Sequence, residues 1–152
     1  MSKIKSYRVL IFDDDDQIRK FLWKYFDRKG YEVFTFPYPA SCPLYEREIC
    51  QCPTNQFCSD LILSDLNMPM TKGLDFLEEQ IKKGCRCNHL ALMSGDLRDE
   101  DIKRAKSQGI VLFKKPFQLN KIEEWVKEVE SNIPTNRRLS NWFIANPYSD
   151  KK

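Results

Sequence analysis

Five short apolar runs alternate with segments whose apolar residues recur at a helical period, and this alternation restricts the fold more than any other feature of the sequence. Strands separated by helices pair in parallel, since each helix carries the chain back to the same end of the sheet. We therefore predict an α/β fold, a parallel sheet covered by helices on both faces. The predicted strands are YRVLIF (7–12), EVFTF (32–36), DLILSD (60–65), HLALMS (89–94) and IVLFK (110–114).

The first helical segment shows the clearest amphipathic pattern. Its apolar positions fall on one face of a 3.6-residue period, and Gly30 stands where a C-terminal cap is expected. Three more helices are predicted over about 73–83, 97–108 and 119–132, ended by Gly84, Gly109 and Pro134 respectively. The apolar face of the first helix consists of Ile18, Phe21, Leu22, Tyr25 and Phe26.

One segment interrupts the alternation. Residues 36–60 contain four prolines and four cysteines, and only PLYEREI has the character of a turn or two of helix. The chain of 152 residues suits one domain with a sizeable core. We predict a domain over 1–133 with the cysteine-rich segment 37–59 inside it, followed by a tail over 134–152 without a clear period.

Net charge and hydropathy restrict the class of protein to which the chain can belong. The net charge of +3 argues neither for nor against a nucleic-acid partner. No apolar run approaches the ~20 residues of a membrane span, and the N-terminus MSKIKSYR lacks the apolar core of a signal peptide. We therefore expect a cytoplasmic protein with no membrane partner, in which cysteines usually stay reduced.

Polar residues follow several of the predicted strands. Asp13 and Asp14 end the first strand, Asp65 the third, Ser94 the fourth, and Lys115 follows the fifth. Ligand sites of open parallel sheets lie at these carboxyl ends. Three converging carboxylates repel one another unless a cation lies among them, and hard oxygen ligands favour Mg²⁺. A metal, a nucleophilic carboxylate, a hydroxyl and an ammonium suit the transfer of a phosphoryl group to an aspartate.

A solvated first turn of helix, favoured by the helix dipole, is the alternative interpretation of the four consecutive aspartates. We adopt it for Asp15 and Asp16. For Asp13 and Asp14, the polar residues at the other strand ends favour the metal site instead.

Four separated motifs, VLIFDDDDQIR, DLILSDLNMPMTKGLDFL, LALMSGD and FKKPF, resemble in order and spacing the receiver domain of two-component response regulators. The resemblance covers about Tyr7 to Glu130. It implies a flavodoxin-like, doubly wound, five-stranded parallel sheet of order 2-1-3-4-5. The proline- and cysteine-rich segment then replaces or distorts the region around helix 2 of the family, the helix that follows its second strand.

The resemblance also implies a role for each site residue. Asp65 is the expected phosphate acceptor, and Ser94 and Lys115 are expected to hold the phosphoryl oxygens. Of the two aspartates at the end of the first strand, Asp14 is the one expected to bind the metal directly. The full set of expected Mg²⁺ ligands is Asp13, Asp14, Asp65 and the backbone carbonyl of Asn67.

The function implied is that of a stand-alone response regulator. A histidine kinase or a phosphotransfer protein supplies the phosphate, and the domain catalyses only its own phosphorylation and dephosphorylation. No DNA-binding domain is evident, so the output is expected through protein contacts near strands four and five, to a downstream partner that the sequence does not name. Receivers often carry an aromatic switch residue three positions before the lysine, where this chain has Leu112 followed by Phe113.

Two other functions fit parts of the sequence. A haloacid-dehalogenase-like phosphatase has Asp-x-Asp after its first strand, which Asp13 and Asp15 match, although Gln17 stands where such enzymes usually have Thr or Val. A metal or redox sensor acting through the cysteines is the other alternative.

The receiver resemblance explains none of the six cysteines. Cys58 and Cys85 each precede a strand, which places them at the amino ends of the strands, opposite the carboxylates. We predict a structural Zn²⁺ site, with an iron–sulfur site, disulfides and unmodified thiols as the alternatives. His89 is a further possible ligand, although a half-buried strand histidine is the favoured interpretation. The predicted zinc ligands are Cys50, Cys52, Cys58 and Cys85, with Cys87 and Cys42 as substitutes.

Overall fold

The structure, a computed structural model, describes residues 6–43, 45, 56–85 and 87–141. Its strands and helices alternate as the sequence predicts. In chain order they are β1 (Arg8–Phe12), α1 (Asp16–Arg28), β2 (Glu32–Phe36), β3 (Gln56–Phe57), β4 (Leu61–Asp65), α2 (Gly73–Lys82), β5 (Leu90–Ser94), α3 (Asp99–Ser107), β6 (Val111–Lys114), α4 (Leu119–Asn132) and β7 (Arg138–Leu139).

The main sheet has five parallel strands in the order β2-β1-β4-β5-β6. Without the two-residue β3, which lies outside this sheet, the order becomes 2-1-3-4-5. The predicted doubly wound α/β fold is therefore confirmed. The order reverses between β1 and β4, so the carboxyl ends of these two strands lie side by side at the point where ligands bind in such sheets.

Alternation along the central strands divides the core into two layers. Val9 and Ile11 of β1 pack on one face with residues of α1 and α4, whereas Leu10 and Phe12 pack on the other with residues of α2. Every residue of β1, β4 and β5 is buried. This explains why these strands read as nearly continuous apolar runs, as expected for a parallel sheet covered on both faces.

The helices follow the sequence closely at their ends. Gly30 and Gly84 adopt positive φ angles just after α1 and α2, a conformation that glycine reaches without steric cost. The predicted bounds of α4 are reproduced without change, and those of the other predicted helices differ by no more than two residues. Among the helices in the described ranges, none has the length and apolar character needed to cross a membrane.

The segment after β2 departs from the strand–helix rhythm, as predicted. Its described residues contain a short 3₁₀ turn, Pro39–Ser41, in which Pro39 is buried. The chain then returns through β3, which pairs in parallel with β7 to form a separate two-stranded sheet. This pair, which the sequence did not predict, attaches the segment beyond α4 to the cysteine-rich segment.

An ionic cluster, buried except for Glu32, lies at the amino ends of β1 and β4. The Asp60 carboxylate accepts hydrogen bonds from the Arg8 backbone N–H at 2.9 Å and from Arg137 Nε and Nη2 at 2.8 and 2.7 Å. The Arg8 guanidinium in turn donates to Glu32 and to the carbonyl oxygen of Ser140. We call these residues, Arg8, Glu32, Asp60 and Arg137, the amino-end ionic cluster.

Candidate functional site

A lysine ammonium lies between two buried carboxylates at the carboxyl ends of the strands. Lys115 Nζ donates to Asp13 Oδ2 at 2.8 Å and to Asp65 Oδ1 at 3.1 Å. The Asp13 side chain is fully buried and that of Asp65 is 9% exposed. These residues come from the ends of β1, β4 and β6, so the fold brings together side chains that lie 102 and 50 positions apart.

Asp14 completes a group of three carboxylates. One oxygen from each of Asp13, Asp14 and Asp65 lies within 4.8 Å of the others, and Asp14 is the exposed member. Among the residues described, this is the one group of three or more acidic, cysteine or histidine side chains with such spacing. The donors are all hard oxygen atoms, and the exposed Asp14 leaves one side of the group open to solvent, which fits Mg²⁺ with some of its water ligands retained.

Asp13 is held in place through its backbone as well as its side chain. Its N–H donates to the Phe36 carbonyl, and its carbonyl oxygen accepts from Arg19 Nη1 at 2.7 Å. Its Oδ1 accepts from the Asp15 N–H at 2.8 Å. The carboxylate therefore has one oxygen tied to the chain and the other directed to Lys115.

The other two aspartates of the run belong to α1. Asp15 is the N-cap of the helix, and its side chain accepts hydrogen bonds from the N–H groups of Gln17 and Ile18. Asp16 lies in the first turn and forms ion pairs with Arg19 and Lys20. The prediction of an ordinary helix start for both residues is confirmed.

Gly73, the first residue of α2, lies so close to the end of β4 that only glycine fits there. A Cβ atom at Gly73 would lie 2.0 Å from the backbone oxygen of Asp65 and 2.8 Å from Ser64 Oγ. The Gly73 N–H also donates to the Leu66 carbonyl at 2.8 Å. Sequence analysis did not identify Gly73 as a site residue, although a glycine eight positions after an acidic strand end was a usable signal.

Asn67 lies in the loop between Asp65 and Gly73 and forms an isolated antiparallel bridge with Lys72. This places its backbone next to the end of β4. Its role as a carbonyl ligand to Mg²⁺ stays a prediction.

Ser94 ends β5, beside β4. Its hydroxyl donates to the Asp96 carbonyl and accepts from the Asp96 N–H, both at 3.0 Å, while its own carbonyl accepts from the Lys115 N–H at 2.8 Å. The bond from Lys115 joins the ends of β5 and β6. The proposed contact of Ser94 with a phosphoryl oxygen stays a prediction.

The electrostatics of the site follow from burial and crowding. Burial raises the pKa of Asp65 to about 6, the negative charge of Asp13 adds to this effect, and Lys115 opposes it. Burial works against the charged form of Lys115, but the Asp13 and Asp65 carboxylates outweigh it and raise the pKa of the lysine. Asp65 is thus a carboxylate that retains its basicity, while Lys115 remains an ammonium at neutral pH.

The side chains that precede Lys115 divide between the two faces of the sheet. Leu112 packs with the core layer on the α2 side. Phe113 packs on the opposite face, edge-on to Trp125 with ring centroids 5.5 Å apart. Since the ring of Phe113 lies across the sheet from Leu112, it does not stand in for an aromatic residue at the Leu112 position.

Two of the predicted zinc ligands are brought together. Cys58 Sγ and Cys85 Sγ lie 3.3 Å apart. Cys42 and Cys87 are buried in the same core layer, whereas Cys50 and Cys52 lie outside the described residues. His89 is half-buried at the start of β5, and burial lowers its pKa. The zinc site stays a prediction, since the described residues supply only one close cysteine pair of its ligand set.

Comparison with known families agrees with the geometry. Residues 9–127 match the family model of the response regulator receiver domain. The chain belongs to this family, which serves two-component signalling. The resemblance inferred from the four motifs is therefore confirmed. A comparison with curated proteins gave no match.

Solved receiver structures share the fold at low sequence identity. A response regulator receiver protein from Pseudomonas putida gives a TM-score of 0.68 at 24% identity, covering 81% of this chain and 97% of that one. The non-phosphorylated HemR receiver domain from Leptospira biflexa gives 0.69 at 21%, covering 84% and 97%. The chemotaxis protein CheY4 from Vibrio cholerae gives 0.65 at 21%, covering 82% and 98%.

The phosphatase alternative loses its main support. Its Asp-x-Asp pattern needs Asp15 as a second carboxylate in the site, but the Asp15 side chain caps α1. The family match covers the same residues. The receiver interpretation therefore replaces the phosphatase one.

Proposed function

We propose that this receiver domain is phosphorylated on Asp65 in a Mg²⁺-dependent reaction, with a histidine kinase or a phosphotransfer protein as the donor. Receiver domains interact with such donors. The observation that carries the proposal is the bridging of Asp13 and Asp65 by Lys115, beside the third carboxylate of Asp14.

Asp65 is the proposed nucleophile because it combines basicity with a partial opening to solvent. With a pKa of about 6, it is largely ionised at neutral pH and more basic than an ordinary aspartate. A carboxylate oxygen would form the new bond to phosphorus as the bond from phosphorus to the donor breaks. The ammonium of Lys115 already contacts Asp65 and would stabilise negative charge on the transferred group.

Asp13, Asp14, Asp65 and the carbonyl of Asn67 are the proposed metal ligands. Bound Mg²⁺ supplies positive charge that offsets the phosphoryl oxygens and the crowded carboxylates. The protein prepares for this by holding Asp13 through three hydrogen bonds, which limits its reorganisation on binding. Ser94 is the proposed hydroxyl donor to a phosphoryl oxygen.

The proposed output is a change of surface near β5 and β6 that alters contacts with a downstream protein. Lys115 follows β6 directly, and its N–H bonds to Ser94 at the end of β5, so a shift of either residue is transmitted to both strands. Leu112 occupies the position of the aromatic switch, and the nearby Phe113 is packed against Trp125. The proposed output therefore does not use an aromatic rotamer change at β6.

Incubation with a small phosphoryl donor, acetyl phosphate, tests the proposal. Intact-mass analysis should show one added phosphoryl group that requires Mg²⁺ and is lost in Asp65→Asn. Asp16→Asn is the matched control, since Asp16 is an exposed aspartate of the same acidic run and pairs only with Arg19 and Lys20 in the described region. Uptake that persists in Asp65→Asn, or that is lost in the control, would overturn the assignment.

A further inference from the structure

Cys58 and Cys85 form a sulfur pair far from the phosphorylation site. Cys58 lies between β3 and β4 and Cys85 follows α2, so both stand at the amino-end edge of the sheet. Their Sγ atoms are 3.3 Å apart although 27 positions separate the residues in the chain. A disulfide bond is ~2.05 Å long, so the two sulfurs need to approach by little more than ~1 Å.

Both members of the pair are fixed by backbone hydrogen bonds. The Cys85 N–H donates to the Gln80 carbonyl at the end of α2, next to Gly84 with its positive φ angle. The Cys58 carbonyl accepts from the Arg8 guanidinium at 3.0 Å. The backbone is therefore anchored on both sides of the close sulfur pair.

The two thiols differ in their access to solvent. Cys58 is buried at 2% exposure, whereas Cys85 is partly exposed. Cys87, two residues further on, is buried, and its thiol contacts the His89 carbonyl. Burial and the neighbouring Cys85 raise the pKa of Cys87, so this third thiol is poorly suited to exchange.

We propose that Cys58 and Cys85 form a reversible disulfide by exchange with a low-molecular-weight disulfide. The Cys85 thiolate attacks the small disulfide, forms a mixed disulfide and releases one small thiolate. The Cys58 thiolate then attacks the Cys85 sulfur, which breaks the mixed disulfide and releases the second. Two protein thiols are oxidised, one small disulfide is reduced to two thiols, and the two protons from the cysteines end on those thiols.

The disulfide would close a ring that contains all of β4 and α2. Asp65 and Gly73 therefore lie within this ring. A loop of this length restricts the unfolded chain substantially, and for a chain of this size the melting temperature should rise by about 10 °C on oxidation. The pair lies at the opposite edge of the sheet from Asp65. Phosphorylation of the oxidised form is therefore expected to retain its yield, and a failure of the Asp65 proposal would leave this one unaffected.

The test equilibrates the full chain with defined ratios of reduced and oxidised glutathione, traps thiols with N-ethylmaleimide, and maps linked peptides by mass spectrometry. The Cys58–Cys85 link should form in oxidising mixtures, disappear on reduction, and accompany the rise of about 10 °C in melting temperature. Cys58→Ser and Cys85→Ser should each lose the rise. Cys87→Ala is the matched control and should keep it.

Three results would overturn the proposal. One is the absence of the link in a fully oxidising mixture, which the wild-type chain alone decides even if a variant fails to fold. The second is linkage of either cysteine to another cysteine instead. The third is one zinc ion per chain in the purified protein, bound through Cys58 and Cys85 and lost in their serine variants, which would assign the pair to a zinc centre.

Discussion

The two edges of the sheet both bury aspartates, but they neutralise them differently. At the amino-end edge, Asp60 accepts from the Arg8 backbone and from two nitrogens of Arg137. At the carboxyl-end edge, Asp13 and Asp65 share the single ammonium of Lys115. The first arrangement balances its charges and supports the fold. The second leaves excess negative charge, which suits the proposed Mg²⁺ site.

Asp60→Asn should have the largest effect of the changes considered. It leaves the Arg137 guanidinium facing a neutral amide in a buried site, and removing one partner of a buried pair costs about 3–5 kcal/mol. Urea unfolding should show a correspondingly lower midpoint. Asp16→Asn is the control, because Asp16 is exposed and exposed ion pairs contribute little to stability. Equal stability of the two variants would refute the distinction between the buried cluster and surface pairs.

Gly73→Ala should have the next largest effect, about 1–3 kcal/mol of destabilisation. The added methyl group meets the Asp65 carbonyl at 2.0 Å, so α2 or the end of β4 must move. Gly95→Ala is the matched control, since a Cβ there meets no atom within 4 Å. Thermal unfolding of both variants measures the difference, and similar melting temperatures would show that the close approach relaxes without cost.

Asp65→Asn should stabilise the protein by about 1–2 kcal/mol at pH 7 in EDTA, the opposite sign to Asp60→Asn. The raised pKa of Asp65, about 6, is the net result of burial, the charge of Asp13 and the opposing contact with Lys115, and it means that the ionised form costs folding free energy. The cost is ~1.4 kcal/mol per unit before solvent screening of this partly buried group is discounted. Added Mg²⁺ should raise the melting temperature of the wild type more than that of the variant. If Asp65→Asn is less stable than the wild type in EDTA, the ionised Asp65 does not destabilise the fold, and the contrast with the charge-balanced Asp60 is wrong.

His89→Gln should have the smallest effect, visible only as a change in pH dependence. Burial lowers the pKa of His89 below its ordinary value of 6.5, so below that pH the unfolded chain binds more protons than the native one. Stability from this residue is present above pH 6.5 and is lost as the pH falls. Between pH 7 and pH 5, the melting temperature should fall less steeply with decreasing pH in the variant than in the wild type. The same pH dependence in both proteins would show that protonation of His89 is not coupled to unfolding.

Much of the fold was predictable because its signals are local. Apolar runs bounded by glycine and polar residues mark the strands, and their alternation with helical periods dictates a parallel sheet. The convergence of Asp13, Asp65 and Lys115 was predictable for a related reason, since the carboxyl ends of parallel strands meet at one edge and all three residues stand at such ends. The strand order came from the family resemblance rather than from periodicity.

The amino-end ionic cluster was missed because its partners carry no local signal. Arg8 is a charged residue within an apolar strand, which indicates a buried partner but does not say which one. Asp60 and Arg137 are 77 positions apart and meet only through the tertiary fold. The β3–β7 pair was missed for a similar reason, since two-residue strands are too short to show a period.

The β3–β7 pair also sets an order of events during synthesis. Phe57 cannot pair with Leu139 until Leu139 has been synthesised, more than eighty residues later. At ~5–20 residues per second, this delay lasts roughly 4–16 s. For that interval β7 is not yet available to β3, which lies next to Cys58. The pairing of β3 with β7 therefore follows the synthesis of Leu139, and a nascent chain halted before Leu139 would lack this two-stranded sheet.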